Sequence, residues 1–229
     1  KNKNQFNRVG SSIGDIVAGL YAVIGILIQL INRSKTNKGS RLDLSMLDCQ
    51  VAILENAISR FSVEKKIPEP LGTDHPSISP FGAFKTSDSL IVIAVGNDKM
   101  FQKFCDVVGD RNLALNELYK TNFLRNKNLD SLRKKIEFQL KSKSTEFWLK
   151  KFKKNKIPSS KINNIKDLFE SKQIKNRGMI FNYKDKSIKN LMISGNPLKF
   201  SFLKKKLENM KSPELNEDRK HILKFFNLI

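Results

Sequence analysis

Cysteine, histidine and tryptophan are almost missing from this chain: its 229 residues include two cysteines, two histidines and one tryptophan. Cys49 and Cys105 sit in separate apolar stretches, which excludes a disulfide framework and any C-x-x-C redox or zinc motif. They are expected as reduced core residues. His75 and His221 have no second ligand at metal-binding spacing, so no metal site is expected. Acids are scarce as well, 22 against 43 Lys+Arg, a formal net charge of +21. Long apolar runs number one, residues 16–31, whose only strongly polar member is Gln29. At this length it falls just short of the ~17 to 25 residues a bilayer needs, and a helix apolar on all sides is expected as buried core, with no membrane partner.

Such a charge raises nucleic-acid binding first. Three features oppose it. The excess is mostly lysine, with nine arginines in all, whereas base and phosphate recognition favours the forked guanidinium. The lysines are scattered, as in KKFKKNK at 150–156, without interleaved aromatics to stack bases. Lys, Asn, Ile and Phe are all abundant, the composition produced by AT-rich codons. A solvated basic surface is the expectation, one that attracts anionic carboxylates and phosphates without making a site. A nucleic-acid binder is the rival of another class, marked by salt-dependent binding.

A hydrophobic content of 39% is enough for a core, in one large or two small domains. Helices are expected at residues 15–32, 46–63, 98–108, 112–118, 129–141, 144–154 and 165–171. Asp130 and Ser144 serve as caps. Within 46–63, Leu47, Val51, Leu54, Ile58 and Phe61 share a face. Strands are expected at 81–85 and 90–95, around a TSDS turn, and at 179–183 and 187–193. Residues 203–211 are charged and expected exposed; 213–229 end in an amphipathic helix turning Ile222, Leu223, Phe226 and Ile229 inward. Pro68, Pro70, Gly72, Pro76 and Pro80 crowd one short interval, a linker or a functional loop.

The most informative stretch is GSSIGDIVAGLY at 10–21, where small residues surround one acid, Asp15, at the mouth of the apolar helix. Asp15 there is either a helix cap or a nucleophile. Gly14 leaves room for a bulky group to approach the backbone, and a helix start offers N–H groups and a favourable dipole to an anion. These residues alone do not separate the two readings.

GSSIGDIVAGLYAVIGILIQLINRSKTNKGSRLDLSMLD at 10–48 resembles the segment around the catalytic aspartate of family III CoA-transferases, the CaiB/BaiF type. GTDHPSISPFGAF at 72–84, SDSLIVIAVGND at 87–98, YKTNFLRNKN at 119–128, KIPSSKINNIKDLF at 156–169 and SGNPLKFS at 194–201 follow in the family's order. The resemblance covers nearly the whole chain. It is strongest to members that move CoA between dicarboxylates such as succinate, glutarate and hydroxymethylglutarate, mainly through YKTNFLRNKN and INNIKDLF. Three departures stand out: Thr36-Asn37 replaces a Thr-Gly pair, Ser89 replaces a hairpin glycine, and Pro213-Glu214-Leu215-Asn216 replaces Pro-x-Leu-Gly.

The resemblance implies an α/β fold, part of a Rossmann-like large domain plus a smaller α+β domain. Residues 1–66 would carry the catalytic Asp15, 67–80 a linker or active-site loop, 81–178 the small domain, and 179–229 the return to the large one. It implies that the chain is roughly the C-terminal half of a longer cytoplasmic protein, inactive as a fragment, whose family forms interlocked homodimers. Asp15 would attack the thioester of an acyl-CoA, passing CoA to a small carboxylic acid through an aspartyl anhydride and an aspartyl-CoA thioester. Coenzyme A is then a substrate and no resident cofactor is expected. Gly14, Gly72 and His75 would contact substrate, the last two on a loop that is either a mobile lid or a rigid linker. An acyl-CoA racemase of the same fold, with an acid/base aspartate, is the nearer rival.

Overall fold

The computed structural model describes residues 8–183, 188–202 and 213–228. Among them three helices come first: α1 (Ile13–Thr36), α2 (Met46–Ala52) and α3 (Asn56–Glu64). A hairpin follows, β1 (Phe81–Lys85) and β2 (Leu90–Ala94), then α4 (Asp98–Val108), α5 (Arg111–Leu115), α6 (Asn122–Lys127), α7 (Leu129–Leu140) and α8 (Thr145–Lys154). After β3 (Ser159–Lys161) come α9 (Ile165–Glu170) and α10 (Lys172–Asn176), the strands β4 (Ile180–Tyr183) and β5 (Leu191–Ser194), and α11 (Arg219–Phe225).

The hairpin and its helices form the core. β1, β2 and β3 make an antiparallel sheet in that order, pairing Phe81 with Ala94 and Ile93 with Ser159. Phe84, Ile91 and Ile93 are fully buried there. Each buried side chain of this size contributes about 1.5–3 kcal/mol by leaving water. Phe104, Ile136, Leu140, Trp148 and Phe152 close over them from α4, α7 and α8. The Trp148 and Phe152 rings stack at 5.5 Å, and the buried indole N–H donates to the Leu140 carbonyl at 2.8 Å. That bond spares a buried donor its desolvation cost.

The hairpin turn explains its missing glycine. Residues 86–89 connect the strands without a positive φ, so Ser89 meets no backbone strain. Thr86 N–H donates to the Ser89 carbonyl, and the Asp88 carboxylate accepts from Thr145 N–H at 2.8 Å, Thr145 Oγ1 and Thr86 Oγ1. The Thr145 backbone bond foremost holds the Asp88 carboxyl below its ordinary range.

Several expectations change. The helix expected at 46–63 is broken at 53–55, where Glu55 takes φ 51°, and Leu47, Val51, Leu54, Ile58 and Phe61 are exposed. Asp130 lies in the first turn of α7, behind Asn128 at the cap position; Ser144 caps α8 as expected. Both α6 and β3 were unforeseen. Of the side chains expected to turn inward, Ile222 and Phe226 are exposed and Leu223 is half-buried. Ile229 and residues 203–211 lie outside the described residues.

The largest change concerns α1. Expected as buried core, it buries only Ala18, while Leu20, Ile28 and Ile31 remain more than half exposed. It is also longer than its apolar run: 24 residues, long and apolar enough by length and composition to cross a membrane. It ends at Asn37, whose φ of 56° and N–H bond to the Arg33 carbonyl at 2.8 Å make a left-handed cap. Asparagine tolerates that conformation, which accounts for its presence where a glycine is usual.

Candidate active site

Asp15 is not the cap of α1. Ser12 holds that position, without a side-chain cap bond, and Asp15 stands in the first turn at the third helical residue. A carboxylate there meets the positive end of the helix dipole. Asp15 is exposed, and among the described residues its carboxylate makes no hydrogen bond or ion pair. The Gly14 and Asp15 N–H groups also lack an acceptor there, whereas Ile13 N–H reaches the Ser11 carbonyl and Ile16 N–H the Ser12 carbonyl. Carboxylate and open donors thus lie within one turn.

Gly14 is the point where α2 approaches α1. A Cβ on Gly14 would come within 3.3 Å of the Gln50 carboxamide. Gln50 is exposed on α2, and its Nε2 donates to the Met46 carbonyl at 3.4 Å. Sequence reasoning passed over it, because nothing in the spacing of residues 14 and 50 reveals that two helices cross there.

Gly72 and His75 lie on a segment fastened along much of its length. Gly72 turns the chain at φ 66°, with open space around its Cα. Beyond it, Thr73 Oγ1 accepts from Ala83 N–H at 3.1 Å and His75 N–H donates to the Phe81 carbonyl at 2.9 Å. Asp74 pairs with Arg133, whose guanidinium also donates to the Ala83 carbonyl and lies over the Phe84 ring. Residues 73–75 therefore cover the free edge of β1. The His75 ring stacks on Phe81 at 5.1 Å, and its Nδ1 accepts from Ser77 N–H at 3.2 Å and Ile78 N–H at 3.1 Å. The segment ends at the cis bond between Ser79 and Pro80.

The other side of this segment is held by α6. Asn122 Oδ1 accepts from Ser79 N–H at 3.0 Å while its Nδ2 donates to the Ser77 carbonyl at 2.6 Å, which also receives Asn126 Nδ2 at 2.9 Å. Arg125, fully buried, donates from Nε to the Ser79 carbonyl at 2.6 Å. These bonds dock residues 77–79 against α6 in this structure. No hydrogen bond, ion pair or ring contact among the described residues joins Gly14 or Asp15 to Gly72 or His75.

Elsewhere, a cavity of about 470 Å³ lies between β3, α9 and α10, lined by Lys161, Asn163, Asp167, Ser171 and Gln173 among others. The Asn164 backbone N–H, then Lys161 at 2.9 Å, hold the Asp167 carboxyl below its ordinary range. Burial pushes the Cys105 thiol up to about 12, which leaves it protonated and unreactive. No group of three or more His, Cys, Asp or Glu suited to a metal occurs among the described residues.

Comparison with known proteins gives this arrangement a setting. A sequence model described as CoA-transferase family III matches residues 1–219. The chain is 33% identical over 217 residues to succinyl-CoA:glutarate CoA-transferase of Homo sapiens, and 30% identical over 217 residues to acetyl-CoA:oxalate CoA-transferase of Acetobacter aceti. These alignments cover 95% of this chain but 49% and 54% of the relatives, so it spans about half the length of the curated relatives it matches. Among solved structures, a CaiB/BaiF family protein from Brucella suis superposes with a TM-score of 0.77 at 31% identity. That match covers 98% of this chain and 58% of the other, α1 included. Rv3272 of Mycobacterium tuberculosis, at 17% identity and a TM-score of 0.75, shares the fold alone. The α/β reading stands, and the chain belongs to the CoA-transferase family III.

Proposed function

We propose that the protein to which these residues belong moves CoA from an acyl-CoA donor, such as succinyl-CoA, to a small dicarboxylic acid, with Asp15 as the nucleophile. The observation that carries this reading is the state of Asp15: exposed, unpaired, and beside two N–H groups without acceptors at the start of α1. A capping or ion-paired aspartate would be occupied; this one is available for attack.

The chemistry proceeds through four acyl transfers. A carboxylate oxygen of Asp15 bonds to the thioester carbonyl carbon, the C–S bond breaks, and CoA leaves as thiolate from a mixed anhydride. The thiolate then attacks the Asp15 carbonyl carbon, releasing the donor acid and leaving an aspartyl-CoA thioester. The acceptor carboxylate attacks that thioester, re-forming an anhydride and the thiolate. Attack of the thiolate on the acceptor's acyl carbon yields the new acyl-CoA and restores Asp15. Each tetrahedral intermediate carries an oxyanion, for which the open Gly14 and Asp15 N–H groups are suitable donors.

Gly14, with the exposed Gln50 carboxamide against it, would lie beside the incoming thioester, while Gly72 and His75 would line the acceptor side. The acceptor class follows the relatives, named for glutarate, oxalate and mesaconate. The same reading makes the active protein a cytoplasmic homodimer, with apolar faces such as that of α1 covered by the remainder of the assembly. The test is exchange of CoA between succinyl-CoA and glutarate by the intact protein, with hydroxylamine or borohydride trapping during turnover. Mass-spectrometric detection of modified Asp15 supports the reading. Turnover with no trapped Asp15 overturns the anhydride route, and epimerisation of a branched acyl-CoA without exchange makes the protein a racemase.

A further inference from the structure

The two sides of segment 73–80 are held by side chains distant in sequence. On one side Asn122, Arg125 and Asn126 bond the Ser77 and Ser79 backbone. Arg125 is fully buried: its Nη1 donates to the Tyr119 carbonyl at 3.0 Å, its Nη2 to Asp98 at 2.6 Å, and its Cζ lies 4.4 Å from the Phe101 ring centre. A buried guanidinium with these partners is costly to displace. On the other side Arg133 holds Asp74, and the Thr73–Asp74 backbone lies against Gly82, where a Cβ would fall 2.9 Å from the Thr73 carbonyl oxygen.

This docking decides the state of one imidazole. His75 Nδ1 accepts two backbone N–H bonds, so its lone pair is engaged and the proton of the neutral ring resides on Nε2. The ring is fixed against Phe81, and Nε2 has no hydrogen-bond partner among the described residues. His75 is partly exposed, so that N–H is accessible.

We propose that Asn122, Arg125, Asn126 and Arg133 are positioning residues that make 73–80 a fixed wall rather than a lid, and that the wall presents the outward Nε2–H of His75 as a donor to a carboxylate oxygen of the acceptor acid. The donor's role rests on the CoA-transfer reading; the wall and the tautomer do not. A lid would exchange between conformations, and the imidazole would lose its fixed tautomer each time the loop lifted.

The experiment combines histidine NMR with kinetics on the intact protein. In nitrogen-15 histidine-labelled protein, the resonance removed by His75→Asn identifies His75, which is expected to show the Nε2–H pattern. Asn122→Ala/Asn126→Ala, which spares buried Arg125, is expected to mix the two tautomers and to speed proteolysis within 73–80 by about tenfold, as loss of three hydrogen bonds to the segment allows. An Nδ1–H pattern in the parent protein, or a clamp variant with unchanged spectrum and proteolysis, overturns the wall. His75→Asn keeps an acceptor for the Ser77 and Ile78 N–H groups while deleting the outer donor. It is expected to raise KM for the acid about tenfold, on the order of one lost hydrogen bond, and KM for the acyl-CoA far less. Equal KM values for the acid in an enzyme that transfers CoA overturn the donor's role. Absence of any CoA transfer by the parent protein refutes the functional reading instead, and the donor's role with it, while the spectrum still decides the wall.

Discussion

The helices before residue 66 and the body built on β1 to β3 have similar shares of large apolar side chains but opposite fates for them. Among α1, α2 and α3 only Ala18 and Cys49 are buried, whereas the body encloses Phe84, Phe104, Ile136, Trp148 and Phe152 almost completely. The body's hairpin, the five helices after it and β3 follow one another along the chain, so each apolar face finds its partner within about eighty residues. In the first region α1 crosses α2 and little else, leaving an apolar surface of the kind that marks an interface. A helix can thus be fully specified by its sequence while its burial depends on chain segments packed from elsewhere.

The comparison can be broken at several points. The largest effect is expected at the nucleophile proposed for the first region: Asp15→Asn should lower CoA transfer by the intact protein on the order of 10⁴-fold or more, with little change in folding. Near-normal exchange by that variant would return Asp15 to a structural part. Next in size, Phe104→Ala should destabilise the body by about 3–5 kcal/mol in denaturant unfolding. Ile28→Ala in this chain should stay within about 0.5 kcal/mol, because its side chain is already 61% exposed. Equal losses for the two would mean that α1 is covered.

The cysteines sharpen the contrast more finely. Cys105, fully buried in α4 with its thiol raised to about 12, should resist alkylation under native conditions. Cys49, held only by the α1–α2 crossing, should react sooner as that region opens. Mass spectrometry after timed iodoacetamide exposure reads both, and faster labelling of Cys105 would reverse the ranking. The smallest effect is in acid. Asp88 has a depressed folded carboxyl, so its contribution to stability is present above the unfolded value and is lost as pH falls through the folded one. Asp88→Asn should therefore flatten the body's stability profile below about pH 4 and leave it with little pH response near neutrality. An unaltered acid limb would show that the Asp88–Thr145 bonds carry no net weight.

Local signals were readable in advance where chemistry and periodicity acted within one element. The hairpin, the helices over 98–108 and 129–141, the Ser144 cap and the left-handed Asn37 depended on near neighbours, and the GSSIGD stretch singled out Asp15 and Gly14. The break at 53–55 escaped because the apolar spacing of Leu47, Val51, Leu54 and Ile58 runs straight through it. The short α6 escaped too: its polar Asn122, Arg125 and Asn126 serve a segment more than forty residues earlier, and no local pattern records that debt.

The sequence by itself determined the class of fold and the family, since these reside in ordered motifs, and it singled out Asp15 as the acid proposed to attack. Tertiary structure alone decided that Gln50 meets Gly14, and that His75, stacked on Phe81, is held on a segment fastened by Asn122, Arg125 and Asn126. The reason is physical: propensity and capping act over a few residues, whereas a buried guanidinium or a docked loop is fixed by groups that only folding brings within hydrogen-bond reach.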